Sequence, residues 1–336
     1  MGYHQFLSKK MTLQAVSACF EAPTTPGAGM SRFLAFDTST DVMSIALTDG
    51  VRLWQHTGPG GAKASTTLIP AILALLAQAE SDAGLTLDTL DAIAFGQGPG
   101  SFTGLRTACA VAQGLAFGAR RGAGLPVLPI PTLLALAEEA RGIAFDAPPA
   151  ANAGQPQRIT ALLDARMDEM YVQTFVWHQG VLAVALDRSA GHQQQDVRMI
   201  RPENLVLNGA LEPAALLAGN VFTVYGQRLP DLAGHVCVTV LPTATAMLRL
   251  APALAARGAC VAADQALPLY VRNKVAQTTA ERAVVAADKA AHAARADQAD
   301  PAVQTAGVAA ASTSVNNDND NDNDIGTGAS TGANKP

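Results

Sequence analysis

The residues of this sequence best suited to binding chemistry form a glycine-rich stretch between a predicted strand and a predicted helix. Gly96, Gly98 and Gly100 permit positive φ angles and a close approach of the backbone to a neighbouring group. Ser101 or Thr103 would cap the helix, whose first turn offers free N–H groups and a positive dipole end to an anion. These residues fit an anion site and a tight turn without a ligand equally well. We call residues 96–106 the motif loop, and its distinctive members are Gly96, Gly98, Pro99, Gly100, Ser101, Thr103, Gly104 and Arg106.

The spacing of the motif loop differs from that of the common phosphate-binding motifs. A P-loop requires Gly-Lys followed by Ser or Thr, which this loop lacks. In a dinucleotide fingerprint the third glycine would come one residue before Gly104. An acidic residue would then follow about 20 residues on, where Arg120 and Arg121 stand. Neither generic motif therefore identifies a ligand.

An internal repeat places two carboxylates at equivalent positions. Residues 34–45 align with residues 161–172, which pairs Asp37 with Asp164. Both stretches predict strand, tight turn and strand. Such a duplication is the plan of the actin/Hsp70/sugar-kinase (ribonuclease H-like) superfamily, in which aspartates at these strand ends face a nucleotide cleft. We therefore predict an α/β fold of two similar halves, with Asp37 and Asp164 as candidates for nucleotide contact.

The elements that would position these residues alternate between strand and helix. The first half spans residues 31–141, a Pro/Ala/Gly-rich hinge covers 142–157, and the second half spans 158–282. Residues 1–30 and 283–336 have a linker-like or low-complexity composition and predict disordered extensions. The predicted elements of the first half are strands 33–36, 43–48 and 51–56, helix 65–79, strand 92–96, helix 102–119, strand 127–130 and helix 132–140.

Composition excludes several classes of protein. The net charge is −5 and the pI about 5.7, so no basic surface for nucleic acid is indicated. The four cysteines form no CxxC pair, which argues against a zinc knuckle or a disulfide framework and fits a reducing cytoplasm. Apolar runs are interrupted before the roughly 20 residues of a membrane span, and the N-terminus makes a poor signal peptide.

Four stretches together resemble the TsaB family. The motif loop is similar to a signature that this family shares with its catalytic paralogue TsaD, whereas the other three stretches resemble TsaB. They are the opening strand Phe33-Leu-Ala-Phe-Asp-Thr-Ser-Thr40, the start of the second half Leu163-Asp-Ala-Arg-Met-Asp-Glu-Met-Tyr171, and the closing segment Leu267-Pro-Leu-Tyr-Val-Arg-Asn-Lys-Val-Ala276. The resemblance covers roughly residues 32–280.

The resemblance implies a non-catalytic scaffold that dimerises with TsaD and activates it in forming threonylcarbamoyladenosine in tRNA, next to the anticodon. It also implies the ATPase TsaE as a further partner and tRNA contact through the complex. It implies no tightly bound cofactor, although ATP or ADP could be contacted where the partners meet. A homodimer of the isolated chain is left open, and the expected location is the cytoplasm, without a membrane.

The catalytic role of the paralogue depends on a pair of metal-binding histidines that this sequence lacks. Helix 65–79 contains no histidine, and Ala64 stands where many TsaB relatives keep one. We therefore expect no catalytic residue and no metal site. Two alternatives remain, a TsaD-like carbamoyltransferase or metallopeptidase relative and a sugar-kinase-like ATP phosphotransferase. Against the second, Thr38-Ser-Thr40 contains no glycine for a phosphate loop.

The two helices that flank the motif loop predict association. Apolar residues run nearly around helix 65–79, whereas a surface helix has a single apolar stripe. Helix 102–119 is similar and carries small residues on one face. We expect each helix to be buried on two sides, by its own sheet and by TsaD. The predicted partner interface comprises Leu68, Ile72, Leu75, Leu76, Phe102, Leu105, Ala108 and Ala112.

Overall fold

Two β-sheets organise the computed structural model, which describes residues 31–145, 157–178, 181–185, 197–207 and 216–271. The strands of the first sheet are β1 (Phe33–Asp37), β2 (Val42–Thr48), β3 (Leu53–Pro59), β4 (Ala92–Gly98) and β5 (Val127–Pro131). The strands of the second sheet are β6 (Gln157–Arg166), β7 (Glu169–His178), β8 (Val181–Val184), β9 (Arg198–Ile200), β10 (Leu216–Gly219) and β11 (Val236–Val238). The helices are α1 (Ala64–Ala83), α2 (Phe102–Gly118), α3 (Thr132–Phe145), α4 (Val221–Tyr225) and α5 (Ala244–Ala256).

The two sheets share one topology. The first has the order β3-β2-β1-β4-β5, and the second has the equivalent order β8-β7-β6-β10-β11, with β9 paired to β7. In each sheet the first three strands are antiparallel and the last two are parallel to the opening strand, β1 or β6. This shared pattern confirms the predicted α/β fold of two similar halves.

The central strands are buried on both faces, which explains their nearly continuous apolar sequence. In β1, Leu34 and Phe36 pack on one face of the sheet against α1 and α2. Phe33 and Ala35 pack on the opposite face against α5. The motif loop begins in the last residues of β4, which lies between β1 and β5, and it leads directly into α2.

Helices α3 and α5 bind the two halves together. Helix α3 follows the first sheet in sequence, yet Leu133, Leu136 and Ala137 pack in the core of the second sheet. Helix α5 follows the second sheet, yet Ala244 and Met247 pack against the first. The predicted first half, 31–141, includes most of α3, so its sequence boundary does not coincide with a boundary in the packing.

Several predictions fall on residues that the structure leaves undescribed. The extensions 1–30 and 283–336, most of the hinge 142–157 and the end of the second half from 272 onward lie outside the described residues. The described residues all belong to one compact unit, Met1–Asn273.

One helical stretch of the described residues, Gly61–Ala83, is long and apolar enough by composition to cross a membrane, with a mean hydropathy of 1.3. Its Leu68, Ile72 and Leu75 instead pack on the first sheet. Only 33% of its most apolar window is buried, so much of its uncharged surface faces outward.

Candidate functional site

The motif loop packs directly against the turn between β1 and β2. A Cβ on Gly104 would lie 1.8 Å from the carbonyl oxygen of Thr38, and one on Gly100 would lie 2.6 Å from the carbonyl oxygen of Ser39. The Ser101 N–H donates to that Ser39 oxygen at 2.7 Å, and the Thr38 hydroxyl donates to the Gly104 carbonyl at 2.7 Å. These glycines therefore allow a close approach within the chain, and of the two interpretations of the loop the tight turn accounts for them.

Asp37 is enclosed where this turn meets the loop. Its Oδ1 accepts the backbone N–H of Ser39 at 2.9 Å and the Ser39 hydroxyl at 2.7 Å. A Cβ on Gly96 would fall 1.8 Å from Oδ2, so only glycine fits beneath this carboxylate. Burial raises the pKa of Asp37 to about 6, although hydrogen bonds from Ser39 and Thr132 act to lower it.

Asp164 occupies the equivalent position of the second half and makes the equivalent turn. Its Oδ1 accepts the N–H of Arg166 at 2.8 Å, just as Asp37 accepts from the residue two positions on. The Tyr225 hydroxyl donates to the same oxygen at 2.7 Å, and burial together with this bond raises the pKa of Tyr225. Asp37 is fully buried, and the side chain of Asp164 is 6% exposed. In each aspartate Oδ1 accepts hydrogen bonds from the chain itself, whereas Oδ2 of Asp37 has no partner among the described residues. Neither carboxylate is open to a nucleotide in this structure, and a nucleotide contact stays a prediction.

The turn between β6 and β7 reaches across to the first half. Arg166, Met167 and Asp168 all have positive φ angles, 62°, 56° and 60°. Arg166 forms ion pairs with Asp41 of the first half and, at 3.5 Å, with Asp164. This link joins the two turns that the sequence repeat identifies.

The predicted partner interface lies largely in the core. The four α1 residues, Leu68, Ile72, Leu75 and Leu76, are buried against the first sheet. Ala108 and Ala112 of α2 are buried in the same core cluster, and Leu105 of α2 is also buried. The assignment of these seven residues to a partner-facing surface is therefore wrong. The helical stripe that they form is the one that packs on the chain's own sheet. Of the eight predicted residues, only Phe102 is exposed.

The opposite stripe of the two helices faces outward and is apolar. Leu73 is 54% exposed and Phe117 is 76% exposed, and Ile69 is also exposed. No charged residue occurs between Ala64 and Ala79 of α1, or from Thr107 to the end of α2. We call this surface the outer face, and its members are Ile69, Leu73 and Ala77 of α1 with Ala110, Gly114 and Phe117 of α2.

The closing segment of the described chain lies on the motif loop, a contact that sequence reasoning missed. The Leu269 N–H donates to the Gln97 carbonyl at 2.8 Å, and the Gln97 side-chain amide donates to the Leu267 carbonyl at 3.1 Å. Arg106 donates through Nε to the Tyr270 hydroxyl at 3.0 Å. The two segments were both singled out by the family resemblance, but nothing in either one indicates that they touch.

Few side chains in the described part of the chain are placed to bind a metal ion. Ala64, at the position where a histidine would stand, is fully buried in the core of the first half. No three His, Cys, Asp or Glu side chains converge among the described residues. The residues present on α1 thus do not fit the two-histidine site that the transferase paralogue would need.

Comparison with known families and relatives identifies the protein family. A family model described as TsaD, tRNA N6-adenosine threonylcarbamoyltransferase, matches residues 56–327. The tRNA threonylcarbamoyladenosine biosynthesis protein TsaB of Haemophilus influenzae is 34% identical over 252 residues, which cover 72% of this chain and 94% of that protein. The Escherichia coli K12 protein of the same name is 29% identical over 253 residues, covering 73% of this chain and 96% of its own length.

Solved structures agree with these relatives. The protein YeaZ from Pseudomonas aeruginosa matches with a TM-score of 0.57 and 34% identity, covering 72% of this chain and all of the YeaZ chain. A second Pseudomonas aeruginosa structure, described as similar to peptidase YEAZ, matches with a TM-score of 0.58 and 33% identity over the same share of both chains. The family model carries the transferase name, whereas both full-length curated relatives are named TsaB. We give the individual relatives more weight because each aligns over nearly its whole length.

Proposed function

Because this chain belongs to the TsaB family, it takes part in the biosynthesis of threonylcarbamoyladenosine in tRNA, and we propose that it does so as a non-catalytic subunit that binds and activates TsaD. The observation that carries this proposal is the outer face of α1 and α2. Two neighbouring helices present exposed apolar side chains there without a charged residue. Surface helices of a monomer normally carry charges on their outward side, and extended apolar surface marks an interaction site.

Three features of the candidate cleft support a non-catalytic role. Asp37 is fully buried against Gly96, so it cannot reach a substrate without a rearrangement. Asp164 is occupied by Tyr225 and Arg166. Helix α1 carries no histidine for a metal pair. The alternatives are a carboxylate- or metal-dependent transferase and a sugar-kinase-like phosphotransferase, and each would need groups that face an open cleft.

The remaining partners follow from the same premise. We propose that TsaE and tRNA are engaged through the complex with TsaD rather than by this chain alone, consistent with a net charge of −5. We expect no tightly bound cofactor, and any contact with ATP or ADP to lie where the partners meet. A homodimer through the outer face is the expected competitor of the heterodimer when TsaD is absent. The proposed location is the cytoplasm.

Charge substitutions on the outer face test this proposal. Ile69→Glu and Leu73→Glu should leave the chain folded, because both side chains are exposed in the single chain. Each should weaken binding to TsaD at least thirtyfold, about 2 kcal/mol, because association would bury an unpaired charge. Binding is measured by calorimetry with purified TsaD, and tRNA modification is measured with the full set of proteins.

Two control variants make the result interpretable. Ile143→Glu places the same charge at an exposed isoleucine of α3 and should bind TsaD normally. Ile72→Glu places it in the core and should unfold the chain. Normal binding by both outer-face variants would remove the outer face from the interface. Threonylcarbamoyl transfer by this chain without TsaD would overturn the non-catalytic role.

A further inference from the structure

Arg106 packs against a pair of contacting aromatic rings at the start of α2. Its guanidinium carbon lies 3.6 Å from the centroid of the Phe102 ring and 5.8 Å from that of the Tyr270 ring. The two ring centroids are 5.4 Å apart, with the planes tilted by 40°. The Nε–H of Arg106 also donates to the Tyr270 hydroxyl, so the plane and the orientation of the guanidinium are both fixed.

The backbone on either side of Tyr270 is held by the motif loop and by α2. Besides the two hydrogen bonds between Gln97 and the closing segment, the Gln113 side chain donates to the Ala266 carbonyl at 2.9 Å. A Cβ on Gly98 would lie 2.6 Å from the carbonyl oxygen of Leu269, so the segment lies directly on the loop. Arg106 is therefore ordered before any partner arrives, which lowers the entropy lost on binding.

The two terminal amino groups of Arg106 donate no hydrogen bond to the described residues. Within the described part of the chain, Arg106 uses only Nε in a hydrogen bond and forms no ion pair. By contrast, Arg120, Arg228 and Arg249 direct their terminal amino groups to acceptors of this chain. A planar guanidinium with two free amino groups presents the fork that a carboxylate or a phosphate accepts.

The surroundings of Arg106 distinguish between these two anions. Phe102 and Tyr270, which contact Arg106, are both exposed, and so are Leu267, at 64%, and Leu269 of the closing segment that carries Tyr270. Exposed aromatic side chains in contact with an arginine are typical of the energetic centre of a protein–protein interface. A phosphodiester surface would instead require a basic patch, which the net charge of −5 does not favour.

We propose that Phe102, Arg106, Leu267, Leu269 and Tyr270 form a docking point for an acidic side chain, Asp or Glu, set among apolar residues on TsaD. This inference rests on the proposed function and adds a second contact to the outer face. The two surfaces are continuous along the chain, because Phe102 opens the helix whose later residues belong to the outer face. The pair between Arg106 and the carboxylate fixes the register of the two subunits.

Calorimetric titration of intact chains with TsaD, at low and at high salt, tests this inference. Arg106→Ala should weaken binding at least about tenfold, as expected for an arginine at an interface centre. Arg106→Lys should also weaken it severalfold, because an ammonium cannot stack and pair bidentately. Tyr270→Phe, which removes only the hydroxyl that orients Arg106, should have a smaller effect. The salt dependence of binding should decrease in Arg106→Ala.

The matched control is Arg257→Ala, since Arg257 is exposed at the end of α5, on the opposite face of the first sheet. It should bind as the unmodified chain does, and thermal unfolding should show all variants folded. Unchanged affinity in both Arg106 variants, with Leu73→Glu still impaired, would overturn this docking point and leave the proposed function intact. Absence of TsaD binding by the unmodified chain would instead overturn the proposed function.

Transfer RNA provides the remaining outcome. If Arg106→Ala binds TsaD normally but lowers the affinity of the assembled complex for tRNA, the anion is a phosphate and the protein carboxylate is excluded. Retention of tRNA affinity together with weakened TsaD binding supports the proposal.

Discussion

The Asp37 carboxyl group is fully buried, and it forms no ion pair with any of the described residues. Burial raises its pKa from 3.8 to about 6, against the hydrogen bonds that favour ionisation. A folded state with the higher pKa binds more protons between these values than the unfolded state does. This carboxyl therefore favours folding most when it is protonated, and that contribution is lost as the pH rises from about 4 through about 6.

Asp37→Asn should abolish this dependence, because an amide has the same shape and does not ionise. The difference between 3.8 and about 6 corresponds to about 3 kcal/mol. We expect the stability of the unmodified chain relative to the variant to fall by up to that amount between about pH 4 and about pH 7. Urea unfolding at a series of pH values measures it. A difference that stays constant over this range would mean that Asp37 titrates normally in the folded chain.

Among the elements, α2 depends on its glycine-lined start. A Cβ on Gly104 would lie 1.8 Å from the Thr38 carbonyl oxygen, so the glycine lets α2 lie directly on the turn between β1 and β2. Later in the same helix, Gly114 is exposed, and a Cβ added there would have no neighbour within 4 Å. The two glycines share one helix and differ only in their surroundings.

Alanine at these two positions should act in opposite directions. Gly104→Ala should destabilise the chain by about 2 kcal/mol or more, because the backbone oxygen that it meets cannot move aside as a side chain would. Gly114→Ala should stabilise it by about 0.5–1 kcal/mol through helix propensity. Denaturant midpoints measure both. A tolerated Gly104→Ala would mean that α2 can shift away from the turn at little cost.

In the whole molecule, the exchange of α3 and α5 between the sheets makes the two halves depend on each other. A polar cluster joins these helices. Glu138 is buried and accepts from Arg141 at 2.7 Å and 2.8 Å and from Arg249 of α5 at 3.0 Å. Glu139 accepts from Arg249 at 2.9 Å and from the Thr243 hydroxyl at 2.7 Å. Neither sheet can lose its covering helix without disturbing the other half.

We therefore expect one unfolding transition for both halves, and a single shift of that transition in Glu138→Ala. Removing this carboxylate leaves Arg141 and Arg249 without their shared partner and should cost about 2–3 kcal/mol, less than a fully buried pair because Arg249 is partly exposed. Calorimetry measures the transition, with the exposed Glu80→Ala as a neutral control. Two separate transitions in the variant would show that each half folds independently.

The sequence by itself determined the fold class, the duplication and the family. The repeat that pairs Asp37 with Asp164 corresponds to two sheets of equal topology, and helices 65–79 and 102–119 appear as α1 and α2 with ends shifted by a few residues. These features are local, because strand alternation, helical periodicity and turn residues are set by neighbours along the chain. The prediction that each helix has two apolar sides also came from this periodicity.

Only the tertiary structure decided which side of each helix meets the sheet. Both stripes of α1 are apolar, so periodicity could not rank Leu68 and Ile72 against Ile69 and Leu73, and the choice made from sequence was wrong for the first pair. Sequence also could not place Arg106 beside Tyr270, 164 residues away, because neither residue type nor local spacing encodes a contact of that range. Such contacts are set by how the sheets and helices pack together, and this packing brings the closing segment against the motif loop.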